Sequence, residues 1–497
     1  MNEQLIPLIV IAPLLTALIT PLLAYLSAKL VRAFSILSVL ISLIGAISVL
    51  LTVIENGPLS YFFGSWPPPI GIEYYIDPLG GTMAVLIAAV SFLVAIYSGP
   101  FYKNEKWYRE GGCYGLHLLI TAGLLGMSVT GDIFNLYVFF EISSLATYGL
   151  ISTGGPKALV ASFKYLILGT IGTSFYLLGV GYLYSITGTL NMLDLAEKLQ
   201  PLIDSPAIII AMTLMAVGLT LKMAQFPLHG WLPDAHTYAP PPLSALMSGI
   251  VIKVPAYILL RVYFFIIGPA NGPIPQILTI LGWLAALGII FGSVMAIAQS
   301  ELKRMLAYSS VAQISYVVLG LAIGNSLSLI GAILHMINHA VMKSCLFFVA
   351  GAYIFKTGEH SIDKLRGIYK KMPLSMGAFV IAALSMIGIP PMAGFFSKWY
   401  LVFGAIEANL WPYVVVIILS SLLNLVYFLR VIEIIYLKGI DDSNSDLDII
   451  KPKKGFELPL TLLIPILVLS LGIIVIGLSN EQIVTQVLQF AIPGGGY

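Results

Sequence analysis

The chain reads as an all-α integral membrane protein of about fourteen transmembrane helices. Three observations carry that reading. Hydrophobic residues make up 59% of the 497 and charged residues only 10%, where soluble domains carry roughly a quarter charged. Apolar runs recur along the whole chain at about 20 residues, the length that crosses a hydrocarbon core about 30 Å thick. Lys and Arg, finally, crowd into every second connection between those runs.

Taken in order, the first run, 5–26, follows Met1-Asn2-Glu3-Gln4 with no basic segment before it and no small-residue cleavage site after it, so it reads as a retained helix. Helices 2 and 3 follow at 32–54 and 78–98. Runs at 114–130, 132–151, 158–186, 206–226 and 241–267 form helices 4 to 8, runs at 276–298, 305–322, 327–355, 374–400 and 411–435 form helices 9 to 13, and 458–478 forms helix 14. This divides the chain into three N-terminal helices (1–98), a first five-helix unit (114–267), a second (276–435), and a loop, last helix and short tail (436–497). Odd-numbered connections carry Lys29 and Arg32, Lys103, Lys106 and Arg109, Lys157, Lys303 and Arg304, Lys356 to Lys371, and Lys438 to Lys454; even-numbered ones carry only Lys198. Positive loops stay inside, so both termini are expected outside the cell membrane.

Composition also excludes several functions. With 25 basic against 23 acidic residues the net charge is +2, too balanced and dispersed for a nucleic-acid footprint. Cys113 and Cys345 lie far apart in apolar helical text, which argues against a disulfide framework or a Cys-based metal site.

Charged groups inside the helices carry the functional question. A charge at mid-membrane costs at least about 2.5–3.5 kcal/mol on insertion scales, so it faces a wet cavity, a partner or a proton path, unless a long side chain snorkels to the interface. Snorkelling suits Arg430, fits Arg261 as well as function does, and suits Lys164 less. Glu141, Lys222, Lys253, Lys343 and Lys398 point instead to a polar pathway. Glu141 lies midway along helix 5, with Asp132 nearer its outer end. A lone buried carboxylate takes up a proton, whereas an opposing ammonium keeps it charged, and Lys222 is the natural partner. Lys222 opens the stretch 219–257, in which Pro227, Pro233 and Pro240-Pro241-Pro242 interrupt helix 7 and free backbone carbonyls that only a cavity tolerates. Asp234 lies in the same stretch, and His229 and His236 add groups that change charge near neutral pH or, on the plainer reading, structural hydrogen bonds at a helix end.

In helix 11, His335, His339 and Lys343 recur every four residues and share one face over about 12 Å of rise. A zinc-protease reading of the two histidines needs Glu after the first, and Met336 stands there. In helix 12, Pro390-Pro391 and Gly394 precede Lys398. Helices 7 and 12 are thus both Pro-broken with a lysine nearby, and they cross in opposite senses. That is the pattern of two inverted repeats, helices 4–8 and 9–13, although Lys222 precedes its break and Lys398 follows its own.

The segment around Glu141, KMAQFPLHGWLPDAH with Lys222 and His229, APPPLSALMSGIVIK with Lys253, HMINHAVMK, and GIPPMAGFFSKW with Lys398 together resemble the antiporter-like membrane subunits of respiratory complex I, of Mrp-type cation/proton antiporters and of energy-converting hydrogenases. The resemblance covers roughly 75–435. It implies two inverted five-helix bundles, a Glu141–Lys222 pair, Lys253 on helix 8, the His335/His339/Lys343 face, a terminal site at Lys398 and a basic position at Lys164. Lys at 398 looks more like the D-type component of the Mrp antiporters than the complex I relative with Glu there. The function it implies is proton translocation along a central row of buried Lys, Glu and His. The chain would carry no cofactor and would assemble with other membrane subunits and with iron–sulfur or hydrogenase-like peripheral ones. Sodium translocation is the rival within transport. A redox enzyme lacks its motifs, and a mere anchor leaves the buried lysines unexplained.

Overall fold

The computed structural model describes residues 5–103, 105–437 and 457–493; Lys438, Lys451, Lys453 and Lys454 lie outside them. Twelve described helices are long and apolar enough to cross a membrane, and they coincide with the expected helices 1–6, 8–11, 13 and 14. Helices 7 and 12 each form two shorter pieces, Pro206–Lys222 with Leu232–Tyr238 and Pro373–Ile387 with Ala393–Glu407. Their proline-rich joints explain this, because a ring without an N–H cannot continue the ladder. Ala224 takes a left-handed φ of 57° at the first joint, and Gly388, at φ 96°, closes the helix before the second.

Two features were not expected from the apolar runs, a short strand pair and an additional surface helix. Leu59–Phe62 pairs antiparallel with Glu73–Ile76, placing Leu59 opposite Ile76, and an amphipathic helix, Met192–Leu199, follows helix 6. Both belong to even-numbered connections, and Asn191 joins them by donating to Glu73 at 2.7 Å. Helix 4 also begins earlier than its apolar run, at Trp107. Its first turns carry Arg109 and Glu110, which apolarity alone could not include.

Helix 8, Pro241–Ile267, contains wide π-type turns at Met247–Val251 and Arg261–Ile267. Such turns commonly mark functional positions in helices, and Lys253 follows the first. Helices 4–5, 5–6 and 6–7 pack as neighbours, as do 9–10, 10–11 and 11–12. Large apolar side chains such as Leu18, Ile44, Val415 and Leu471 face outward, while the polar and charged groups gather inside. The chain is a multi-pass membrane protein.

Candidate functional site

Lys222 ends the first piece of helix 7 and is almost wholly buried. Its ammonium donates to Ser144 Oγ at 2.6 Å and Tyr148 Oη at 3.0 Å, both on helix 5, and lies 5.0 Å from the Phe140 ring centre. Glu141 stands on the same helix, half-buried, close enough for its charge to act on Lys222. Yet Lys222 has no carboxylate within ion-pair distance among the described residues, so the expected direct ion pair is not formed in this state. Glu141, Ser144 and Tyr148 recur at helical spacing, which gives the ammonium two hydroxyls to hold while the carboxylate stands off. Helix 6 makes room: a Cβ at Gly169 would lie 3.3 Å from Lys222 Nζ and 2.9 Å from Tyr148 Cζ.

The break after Lys222 is sealed by Trp231, whose Nε1 donates to the Leu221 carbonyl at 3.0 Å beside the Ala224 amide, which donates to the same oxygen at 3.2 Å. The Trp231 ring stacks on Tyr165 at 3.7 Å, and Tyr165 meets Tyr148 edge-on at 4.7 Å. Asp234 bridges Lys164 at 3.0 Å and Arg304 at 3.1 Å. Lys164 is therefore a largely exposed partner of Asp234, not a buried member of a row. Asp132 is the N-cap of helix 5, accepting from the Phe134 and Asn135 amides at 2.9 and 2.6 Å. His229 packs against Phe226 and Phe291. His236 is fully buried against Phe347 with both ring nitrogens unpartnered, so the structural hydrogen bond considered for it is not made.

A second cluster lies in the centre of the fold. Lys253 donates to Ser248 O in the wide turn of helix 8. Lys343 donates to Leu306 O at 2.8 Å and to Ser309 Oγ, near enough for its charge to act on Lys253. The His335 and His339 rings stack 5.8 Å apart, as their four-residue spacing predicts. His335 Nδ1 meets Ser397 Oγ at 2.9 Å, one residue before Lys398. Lys398 donates to Met386 O and Ile387 O, both at 3.0 Å, and to Ser421 Oγ at 3.2 Å. Its side chain thus returns to the carbonyls that the break in helix 12 leaves free. A lysine placed after a break can serve that break as well as one before it.

Sequence reasoning placed helix 10 but missed its part in the candidate site. Ser309 accepts from Lys343, Ser310 meets Ser248 at 2.9 Å, and Ser315 donates to Gln225, three residues past Lys222, at 3.1 Å. Helix 10 therefore touches both clusters. The signal was the polar run Ser309, Ser310, Gln313 and Ser315 in apolar text. Two basic residues also find buried partners, one counted in a loop and one left open between snorkelling and function. Lys303, counted as a loop cation, is buried and donates to Ala239 O at 2.6 Å, at the end of the second piece of helix 7. Arg261 does not snorkel: it forms a buried bidentate pair with Asp77 at 2.5 and 2.7 Å, a partner 184 residues away.

The profile described as NADH:quinone oxidoreductase/Mrp antiporter, TM, matches residues 130–424. The chain belongs to this family. All of the candidate residues above, from Asp132 to Lys398, fall inside the matched segment. NADH-quinone oxidoreductase subunit N of Desulforudis audaxviator is 52% identical, covering 99% of both chains. The D-type component of the Na(+)/H(+) antiporter of Alkalihalophilus pseudofirmus is 33% identical over 97% of this chain and 96% of that one. Among solved structures, a chain of the membrane-bound sulfane sulfur reductase, an archaeal respiratory membrane complex, superposes with a TM-score of 0.88 at 31% identity, covering 98% of this chain and 96% of that chain. Among the described residues no group of three or more His, Cys, Asp or Glu side chains could hold a metal ion.

Proposed function

We propose that this chain is the proton-translocating, antiporter-like subunit of a multi-subunit membrane complex, and that Glu141, Lys222, Lys253, His335, His339, Lys343 and Lys398 carry the ion. The observation that supports this most is the row of buried polar atoms without protein partners between Lys253 and Lys398: both nitrogens of His339, Nε2 of His335, Oγ of Ser344 and both amide atoms of Gln313. Each such atom costs about 1–3 kcal/mol if dry, so the row calls for water, and water between titratable groups conducts protons. Ser144 and Tyr148 provide an alternative seat for the Lys222 ammonium. When Glu141 approaches, the lysine holds its proton; when Glu141 withdraws, the proton is favoured to leave towards helix 10 and Lys253.

Two inverted repeats, helices 4–8 and 9–13, suit the matching neighbour packing of the two units and their broken seventh and twelfth helices. The Lys/Arg-rich connections favour both termini outside. The 52% identity to a subunit N favours a quinone-reducing parent assembly over the D-type antiporter that Lys398 suggested. Glu141→Gln and Lys222→Ala, reconstituted in the intact complex in proteoliposomes, should abolish proton translocation with assembly retained. Full pumping by either refutes the scheme, and pumping that requires Na+ would favour sodium as the ion.

A further inference from the structure

Helices 2, 3 and 4 hold a second buried polar track, outside the segment that matches the family. At their Lys/Arg-rich end Arg32, partly exposed, pairs with the buried Glu110 at 3.0 Å. One turn deeper on helix 4, Tyr114 lies beside Arg32 and Glu110. His117 follows three residues later, midway along the helix. Its ring meets the backbone of Ser91 on helix 3. The His117 Nε2 and the hydroxyls of Ser91 and Ser35 are buried without a protein partner, and the Tyr114 hydroxyl, also buried, has only Arg32 beside it. Tyr102 and Cys113 are further titratable groups close to this track, with Glu105 and Arg109 near Cys113.

Helix 3 then touches the central cluster. A Cβ on Gly249 of helix 8 would lie 3.1 Å from Val90, the neighbour of Ser91, and would overlap Ser344 Oγ, itself buried and unpartnered. Gly249 adjoins Ser248, whose carbonyl holds Lys253. A structural histidine needs no such continuation. Buried polar groups that begin at an ion pair and continue on helices 3 and 4, where helix 3 meets helix 8 at Gly249, call for water.

We propose that a water-lined branch enters between helices 2, 3 and 4 at Arg32 and Glu110, passes Tyr114 to His117, and delivers protons past Ser91 and Ser344 to Lys253. It rests on the proton-translocating reading above. In it His117 takes up a proton at Nε2 from the entering water and gives it back from Nε2 to water on the inner side, while the other ring nitrogen stays on the Ser91 backbone, so the ring returns to its starting charge and tautomer at each turnover.

The test uses the intact complex in proteoliposomes, comparing His117→Phe and Lys253→Ala with Gly112→Ala, a helix 4 control with open space around it. His117→Phe should slow proton uptake by about tenfold, and Gly112→Ala should leave it unchanged. A His117→Phe complex that pumps normally while Lys253→Ala is silent overturns the branch alone; normal pumping by both overturns the proton row itself. Should His117→Phe fail to assemble, deuterium exchange at the His117 ring carbon of the wild-type complex decides. Exchange within about tenfold of the exposed His360 supports the branch, and a ring that stays unexchanged overturns it.

Discussion

Replacing Gly169 by alanine puts a methyl group into space that Tyr148 and Lys222 already fill. The new Cβ would sit 2.9 Å from Tyr148 Cζ and 3.3 Å from Lys222 Nζ, and would overlap the Tyr148 hydroxyl. Ordinary carbon contacts are about 3.5–4.0 Å, so the tyrosine must move by the better part of an ångström. It is poorly placed to do so, because its ring is buried, meets Tyr165 edge-on at 4.7 Å, and Tyr165 is stacked on Trp231. The hydrogen bond from Lys222 to Tyr148 is then lost or bent. A hydrogen bond to a charged group contributes about 1.5–3 kcal/mol, which corresponds to roughly a ten- to hundredfold change in occupancy of that seat. Opposing this, Gly→Ala inside a helix gains about 0.5–1 kcal/mol. Gly181, on the same helix with nothing within 4 Å, isolates that gain. Proton translocation and thermal melting of the complex should be measured for both variants. Gly169→Ala should pump at least about tenfold more slowly and melt lower, whereas Gly181→Ala should pump normally and melt no lower. If the two variants pump alike, the Ser144/Tyr148 seat plays no part in transport.

Breaking the buried Asp77–Arg261 pair should be costly: Asp77→Ala alone should destabilise by about 3–5 kcal/mol, because a buried guanidinium is left unpaired, and Asp77→Ala with Arg261→Leu should recover part of that loss in a melting experiment. Equal losses for the single and double variants would contradict the pairing. Lys398→Met leaves the Ile387 carbonyl without its side-chain donor and Met386 O with only the longer bond from Asn424 at 3.4 Å; translocation should stop and stability fall by about 1–3 kcal/mol, and a variant that still pumps would remove Lys398 from the row. Trp231→Phe keeps the stacking on Tyr165 but loses the bond to Leu221 O, and should cost about 0.5–1.5 kcal/mol, seen as a small drop in melting temperature. Asp234→Asn weakens two partly exposed pairs and should change stability by about 1 kcal/mol or less; a loss of transport out of proportion to that would place Asp234 in the path.

Much of the candidate site was legible because membrane sequences advertise expense. A lysine inside an apolar helix stands out whatever its partner, so Lys222, Lys253, Lys343 and Lys398 were visible without a structure. Serine and tyrosine cost little in such helices and give no comparable signal. Ser144, Tyr148 and the helix 10 serines therefore went unnoticed, although Lys222 and Lys343 rest on them. Lys303 was misread, and Arg261 left undecided, for a related reason: a cation near a helix end looks the same whether it reaches water or a buried carbonyl or carboxylate.

What the amino-acid sequence determined by itself follows from period and composition along one chain. Apolar length sets the helices, proline sets the breaks in helices 7 and 12, and four-residue spacing puts His335, His339 and Lys343 on one face. Only the tertiary structure decided which groups meet across helices: Lys222 with Ser144 and Tyr148, Lys398 with the carbonyls of its own broken helix, Arg261 with Asp77, and His117 with Ser91. Spacing within a helix fixes a direction around its axis, but the partner in that direction depends on how helices far apart in sequence are packed.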